Sequence, residues 1–295
     1  MSAAIECAGH PRDMGIAQGR ALRAIVRAEV ARAGLPTHRS RWPSLRPVVA
    51  GPLRGRGPGR EFFRHFAHQA ERLEGLAQAS YLPLDSLVEL QLRLELRGGA
   101  GGEVGREPGW IVRESRPVVG FRSLELTLAW LVPAVAGVNE AGLAVLATLW
   151  DGPASARLPG REGDAPPLLL VQDCLTRFEN LAGALDWCRK RPVEGEQTIY
   201  FGDASGARAT VEIRGRERRV ELAPGVGREG VGEAVWLEGR IGGATPSLMS
   251  SGAGDFVRID PVARRLDVRG VAALARKGGQ TFGFEPLAAS SAERS

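Results

Sequence analysis

Residues 133–150 read PAVAGVNEAGLAVLATLW. An apolar run, the polar turn Asn139-Glu140-Ala141-Gly142 and a second apolar run follow one another. Asn and Gly tolerate positive φ, so the stretch reads as a tight hairpin between two buried strands. Polar groups at the edge of an apolar sheet must be satisfied or have a task. Asn139 therefore carries two readings. It holds the turn, or it stands at the rim of a site and offers its amide to a substrate oxygen.

Working outward, residues 124–150 are the most apolar part of the chain, yet they include Pro133, Asn139, Glu140 and glycines. A bilayer helix does not carry that group at its centre, so the stretch reads as sheet and the protein as soluble and cytoplasmic. Upstream, residues 110–112, 118–121 and 124–135 read as strands. Downstream, residues 168–174 and 181–189 have helical apolar spacing, and residues 198–202, 209–213 and 219–222 form a meander. Later strands are expected at 247–250, 256–259 and 265–268, after a weak stretch to residue 243. Before the sheet, residues 5–7 read as a short strand and residues 13–34, 61–80 and 83–97 as helices, with Asp13 expected to cap the first helix and Gly34 to end it. Gly15 and Gly19 lie four apart on one helix face, which suits close packing against a neighbour. Residues 36–60 are punctuated by Pro and Gly. The order helices, strands, helices, strands is that of an α+β chain. It divides into a helical region 1–97, a sheet core 98–270 and a disordered tail 271–295.

The chain has 295 residues and a net charge of +5, but residues 12–64 alone carry +9. Lys190 and Lys277 are the only lysines. No aromatic ladder or DNA-binding motif accompanies the basic segment, so a nucleic-acid role is disfavoured. The three cysteines, Cys7, Cys174 and Cys188, make no CxxC and no metal set, and fit a reduced protein. His65 and His68 are three apart, as metal ligands can be, but no Cys completes a set. They read as a solvated or packing pair. No cofactor motif is present: the glycines at 98–109 lack the GK[ST] of a phosphate loop. Glu114 and Glu125 could act as paired carboxylates. Glu125 alternates with apolar residues and reads as solvent-facing, and Glu114 reads as a surface partner of Arg113 or Arg116. Arg113 could also hold an acyl carboxylate by its fork.

Four segments in order resemble a known family. HPRDMGIAQGRALRAIV (residues 10–26) resembles its opening helix, and LEGLAQASYLPLDSLVELQLRLEL (residues 73–96) its paired helices. AGVNEAGLAV (residues 136–145) resembles its Gly-x-Asn-x-x-Gly turn, and TIYFGDASGARATVEIRGRERRVE (residues 198–221) its strand-turn-strand unit. The family is the isopenicillin-N acyltransferase-like (acyl-CoA:6-aminopenicillanic acid acyltransferase) branch of the N-terminal-nucleophile (Ntn) cysteine hydrolases. The resemblance implies an αββα sandwich of two antiparallel sheets covered by helices. It implies a self-cleaving precursor whose new terminal Cys attacks an amide or thioester of a small acylated molecule. It also implies that residues 1–97 are propeptide-like and that Asn139 belongs to an oxyanion hole.

The nucleophile should follow the third helix. That place is occupied by GGAGG, residues 98–102, with Ala100 at its centre, and no Cys, Ser or Thr lies between Ser86 and Ser115. Gly and Ala cannot attack a carbonyl. The family's Asn-x-Asp becomes Arg113-Glu114-Ser115. The expectation is a pseudoenzyme that keeps a ligand pocket near Asn139, with Arg113 and Glu114 as further ligand contacts and a protein partner compatible with it. The alternative is an active acyltransferase or amide hydrolase with Ser115 as relocated nucleophile.

Overall fold

An apolar strand, β1 (Ile5–Gly9), opens the chain and lies parallel to β2 (Trp110–Pro117). The computed structural model describes residues 4–38, 59–96, 109–147, 165–223, 237–240, 256–269 and 280–284. From β2 the sheet runs antiparallel through β3 (Ser123–Leu128), β4 (Ala136–Asn139), β5 (Ala144–Ala147), β6 (Gly195–Gly202), β7 (Arg208–Gly215) and β8 (Glu217–Ala223), in chain order. A second sheet has the order β12 (Gln280–Gly283), β11 (Arg265–Arg269), β10 (Phe256–Asp260), β9 (Leu237–Arg240).

The helices are α1 (Pro11–Arg32), α2 (Arg60–His65), α3 (Ala67–Ser80), α4 (Leu84–Leu96), α5 (Leu169–Arg177) and α6 (Leu181–Lys190). Helix α1 lies on β1 and β2, α5 on β4 and β5, and α6 on β7 and β8. The second sheet packs on β3 to β6, with Ile259 and Leu266 fully buried. The fold is thus mixed α and β, with one large sheet, a smaller sheet and a helical layer.

Several expectations are corrected. The large sheet is mixed, because β1 adds to it in parallel. The short strand expected at residues 5–7 is the one that does so, extended to Gly9. Residues 118–121 form a bend, because the loop is pinned by Val118 N to Gly9 O and Phe121 N to Thr176 O. The run at 124–135 breaks at Leu128, and its apolar second half is a buried turn. The helix expected at 61–80 is interrupted at Phe66, whose φ of −126° and ψ of 47° are not helical. Asp13 caps nothing: the cap residue of α1 is His10, followed by Pro11 at the first position. Residues 237–240, within the stretch read as weak, form a strand. So do Gln280–Gly283 within the expected tail, each through pairing with a neighbour distant in sequence. The strand expected at 247–250 lies outside the described residues.

Glycine settles how α1 meets α3. A Cβ on Gly15 would lie 1.9 Å from the carbonyl oxygen of Arg72, and one on Gly75 would lie 2.0 Å from that of Arg12. The two backbones touch where only hydrogen atoms fit, which answers the Gly15 spacing in the sequence. Neither neighbour can give way, because both are main chain. Gly15→Ala or Gly75→Ala is expected to destabilise the protein by about 3 kcal/mol. A lowered urea midpoint at unchanged slope checks this.

Candidate functional site

Arg113 and Ser115 of β2, and Ser123 and Glu125 of β3, lie on the face covered by helices. Arg113 pairs with Glu125 and Ser115 with Ser123 across the ladder, and Cys7 lies beside Ser115 on β1. Arg113 is fully buried, and all five of its N–H groups are used. Nε donates to Glu125 at 2.5 Å. Nη1 donates to Gln18 Oε1 at 2.8 Å and to the Leu131 carbonyl at 3.1 Å. Nη2 donates to Gln172 Oε1 at 2.9 Å and to the Val132 carbonyl. Glu125 also accepts from Ser123 Oγ at 2.5 Å and Gln172 Nε2 at 2.7 Å. Burial acts to raise the Glu125 pKa. Arg113, then Arg72 and the two hydrogen bonds, bring it below the ordinary carboxylate value.

The expected site residues therefore have other work. Glu125 is 0% exposed, against the solvent-facing expectation, because helices cover the polar face of β3. Arg113 has no N–H left for a ligand. Glu114 is held by Arg116 at 2.9 Å and Arg122 at 2.5 Å, which keep its carboxyl below its usual range against the effect of partial burial. Ser115 is buried, and its Oγ accepts from Arg72 Nη2 at 3.1 Å. Asn139 is 0% exposed and saturated. Its Nδ2 donates to the carbonyls of Leu175 (3.0 Å) and Phe178 (2.7 Å), and its Oδ1 accepts from the amides of Ala141 (3.1 Å) and Leu143 (2.9 Å). It braces the turn and the end of α5, and no N–H remains for an oxyanion. Ala100 lies outside the described residues.

A cleft of about 580 Å³ opens instead where the start of α1, helix α3, the loop after β2 and the ends of α5 and α6 meet. Its walls include Pro11, Met14, Val118, Val119, Phe178 and Trp187, and its polar groups include His10, His68, Gln69, Arg72 and Arg177. His68, Arg72 and the loop at Gly120 are placed by identifiable constraints. The break at Phe66 starts α3 afresh and separates His68 from His65, which instead pairs with Glu61 at 2.9 Å. The Gly15 contact presses the Arg72 backbone onto α1. Gly120, at φ +107°, brings the loop so close to Thr176 that a Cβ would lie 2.4 Å from its carbonyl oxygen.

Asp173 organises one wall. It is fully buried and accepts from Gln69 Nε2 at 2.9 Å and Trp187 Nε1 at 3.0 Å. His68 Nε2 lies 2.7 Å from its Oδ1, at an angle that makes no hydrogen bond. Arg177 and Arg191 stand 3.9 and 4.0 Å from Oδ2. The floor is less settled. Arg72 Nε and Gln69 Oε1 are buried with no hydrogen-bond partner. Burial, and then the like charge of Arg113, lower the Arg72 pKa to about 10, which leaves it charged at neutral pH. The sequence reading missed His68, Gln69, Arg72 and Asp173 as a group. The one available signal was polar residues on otherwise apolar helix faces.

Cys7, Cys174 and Cys188 are buried. Burial, and then the neighbouring Cys188, push the Cys174 thiol well up. The Thr176 hydroxyl, on the cleft wall, donates to the Gln172 carbonyl at 2.8 Å. Among the described residues, no group of three His, Cys, Asp or Glu is placed to hold a metal ion, and no helix is long and apolar enough to cross a membrane.

No protein-family model matches the chain, and no curated protein matches it. Among solved structures it is similar to penicillin V acylase from Agrobacterium tumefaciens. Identity is 21%, coverage is 40% of this chain and 38% of that chain, and the TM-score is 0.27. The match spans well under half of that protein, and a superposition this loose carries no argument about fold or activity.

Two outcomes follow from the buried network. A carboxylate with a depressed pKa stabilises the fold fully above its unfolded value, about 4.3, and loses that contribution as pH falls through the folded value. Urea denaturation across pH should show stability falling below about pH 4.3, with Glu125→Gln flattening part of that fall. At neutral pH that substitution leaves Arg113 as an unpaired buried charge and should cost about 3–5 kcal/mol. Asn139→Ala orphans four backbone groups and should cost about 3 kcal/mol, measured by the same method.

Proposed function

We propose that this chain is an Ntn-hydrolase-like scaffold that binds a small molecule and performs no acyl transfer. The observation that carries the reading is the cleft. It has the volume of a small-ligand site and apolar walls, and its lining residues Gln69 and Arg72 each carry a buried polar atom without a partner. The four family-like segments support the Ntn relationship. GGAGG at residues 98–102, where the nucleophile is expected, supports the loss of catalysis. The packing of one sheet on another, with helices on the outer face of the larger, is compatible with three layers of an αββα sandwich.

The cleft differs from the pocket first expected at Asn139, but the two are connected. Asn139 ties down the carbonyls of Leu175 and Phe178, and Phe178 is part of the cleft wall. The residue of the family-like turn thus acts on the cleft from behind.

Ser115 as a relocated nucleophile is the weaker reading. Its Oγ is buried beneath Arg72, whose guanidinium donates to it and has no lone pair with which to take its proton. A general base would need to be within hydrogen-bond reach.

Two measurements test the proposal. Intact-mass spectrometry should show one chain near 31.5 kDa, and amide and thioester substrates should not turn over. Two fragments split near residue 100 or 115, or turnover abolished by Ser115→Ala, would overturn the loss of catalysis. For binding, Val119→Cys places a single reactive thiol on the exposed cleft rim, since the three native cysteines are buried. An environment-sensitive dye there should report saturable binding within a panel of neutral, cationic and anionic compounds of up to about 15 heavy atoms, sized to the cleft. No saturable response from any member would refute the cleft as a ligand site.

A further inference from the structure

The floor of the cleft has an uncompensated charge. Two buried guanidinium groups, Arg72 and Arg113, face one buried carboxylate, Glu125, and that carboxylate is already engaged by Arg113, Ser123 and Gln172. Arg72 is bonded only to neutral groups. Its Nη2 donates to Ser115 Oγ, and Nε has no acceptor. A buried cation without a counter-charge is costly, and a bound anion offsets that cost.

The second orphan has the opposite character. Gln69 uses both amide N–H groups, on the Leu169 carbonyl at 2.8 Å and on Asp173, while its Oε1 accepts nothing. Gln69 and Arg72 are three residues apart on α3, so their side chains leave the same helix face about 5–6 Å apart at Cβ. Both belong to the cleft lining, and both are at least 98% buried. The floor therefore asks for an acceptor carrying negative charge and, within a few ångströms of it, a hydrogen-bond donor.

Resting on the cleft being a ligand site, we infer that it takes a small carboxylate with a hydroxyl or amino group on the adjacent carbon and an apolar, preferably aromatic, body. The carboxylate pairs with Arg72. The neighbouring donor satisfies Gln69 Oε1. The body lies against Met14, Val118, Phe178 and Trp187. The Phe178 and Trp187 rings are already tilted 58° against each other with centroids 5.6 Å apart, which forms an aromatic corner. A phosphate fits less well. Inorganic phosphate has no apolar body to lie against the Phe178 and Trp187 corner.

Three compounds dissect the inference on the unmodified chain by calorimetry at neutral pH. They are 3-phenyllactate, 3-phenylpropionate, which lacks the adjacent hydroxyl, and 3-phenyllactamide, which lacks the charge. Phenyllactate should bind saturably. Phenylpropionate should bind about tenfold more weakly through the unmet Gln69 oxygen, and phenyllactamide at least tenfold more weakly through the lost ion pair. Arg72→Gln should weaken phenyllactate about 30-fold and phenyllactamide less than threefold. If that variant fails to fold, the compound series on the native chain still decides. Equal affinity of phenyllactate and its amide overturns the anion assignment and leaves the cleft standing. Equal affinity of phenyllactate and phenylpropionate overturns the donor assignment. Failure of both carboxylates, while a neutral or cationic panel member moves the Val119 dye, rejects this inference alone. Silence of the whole panel rejects the cleft with it. Inorganic phosphate competing as well as phenyllactate also overturns it.

Discussion

Arg113 is the interaction on which the structure depends. A guanidinium cannot lose its proton in a protein, so burying one obliges the surroundings to supply five acceptors. They come from four places: Glu125 on β3, Gln18 on α1, Gln172 on α5, and the Leu131 and Val132 carbonyls of the turn after β3. One side chain therefore fixes the positions of two helices and a turn relative to the sheet. Such a network need not add net stability over an apolar core of equal shape. It does penalise arrangements in which any member is missing. Gln18 shows the reach of this constraint: its oxygen serves Arg113 while its amide donates to the Ala129 and Leu131 carbonyls.

The cleft is a consequence of the same geometry. Gln172 lies in both the network and the cleft wall, so the position of α5 sets the edge of the opening. Helix α3 is set from the other side by the backbone contacts at Gly15 and Gly75. Between these two rigidly held helices, side chains from α3 meet a floor already occupied by Arg113 and Glu125. Arg72 is left as the second cation of a cluster with one anion. The imbalance is thus built by the packing of helices onto a polar sheet face and is not a property of any short motif.

Much of the chain was legible because local patterns matched the final environment. Strand β7 has one covered and one wet face, so alternation read correctly there. The Gly15 spacing announced a close helix contact. Reading failed where burial was two-sided. In β3, Ser123, Glu125 and Thr127 alternate with leucines like an amphipathic edge, yet every residue of the strand is buried. Asn139 was picked out as unusual, and it is. Its amide is spent on four backbone groups, which no spacing could reveal, because two of them belong to residues 175 and 178. His68 and Asp173 are 105 positions apart and had no local signature.

By itself the sequence determined the mixed α and β class, most helices and strands, the hairpin around Asn139 and the absence of a nucleophile at residues 98–102. These depend on periodicity, turn chemistry and residue identity, which are local. Only the tertiary structure decided which polar residues are buried, which partners they take and where a cleft opens. Those outcomes depend on the second face of each strand and on helices brought in from distant parts of the chain. A polar residue looks the same in sequence whether water or a guanidinium satisfies it. At Glu125 and Asn139 it was the protein's own groups, and at Gln69 and Arg72 the protein left part of that task undone.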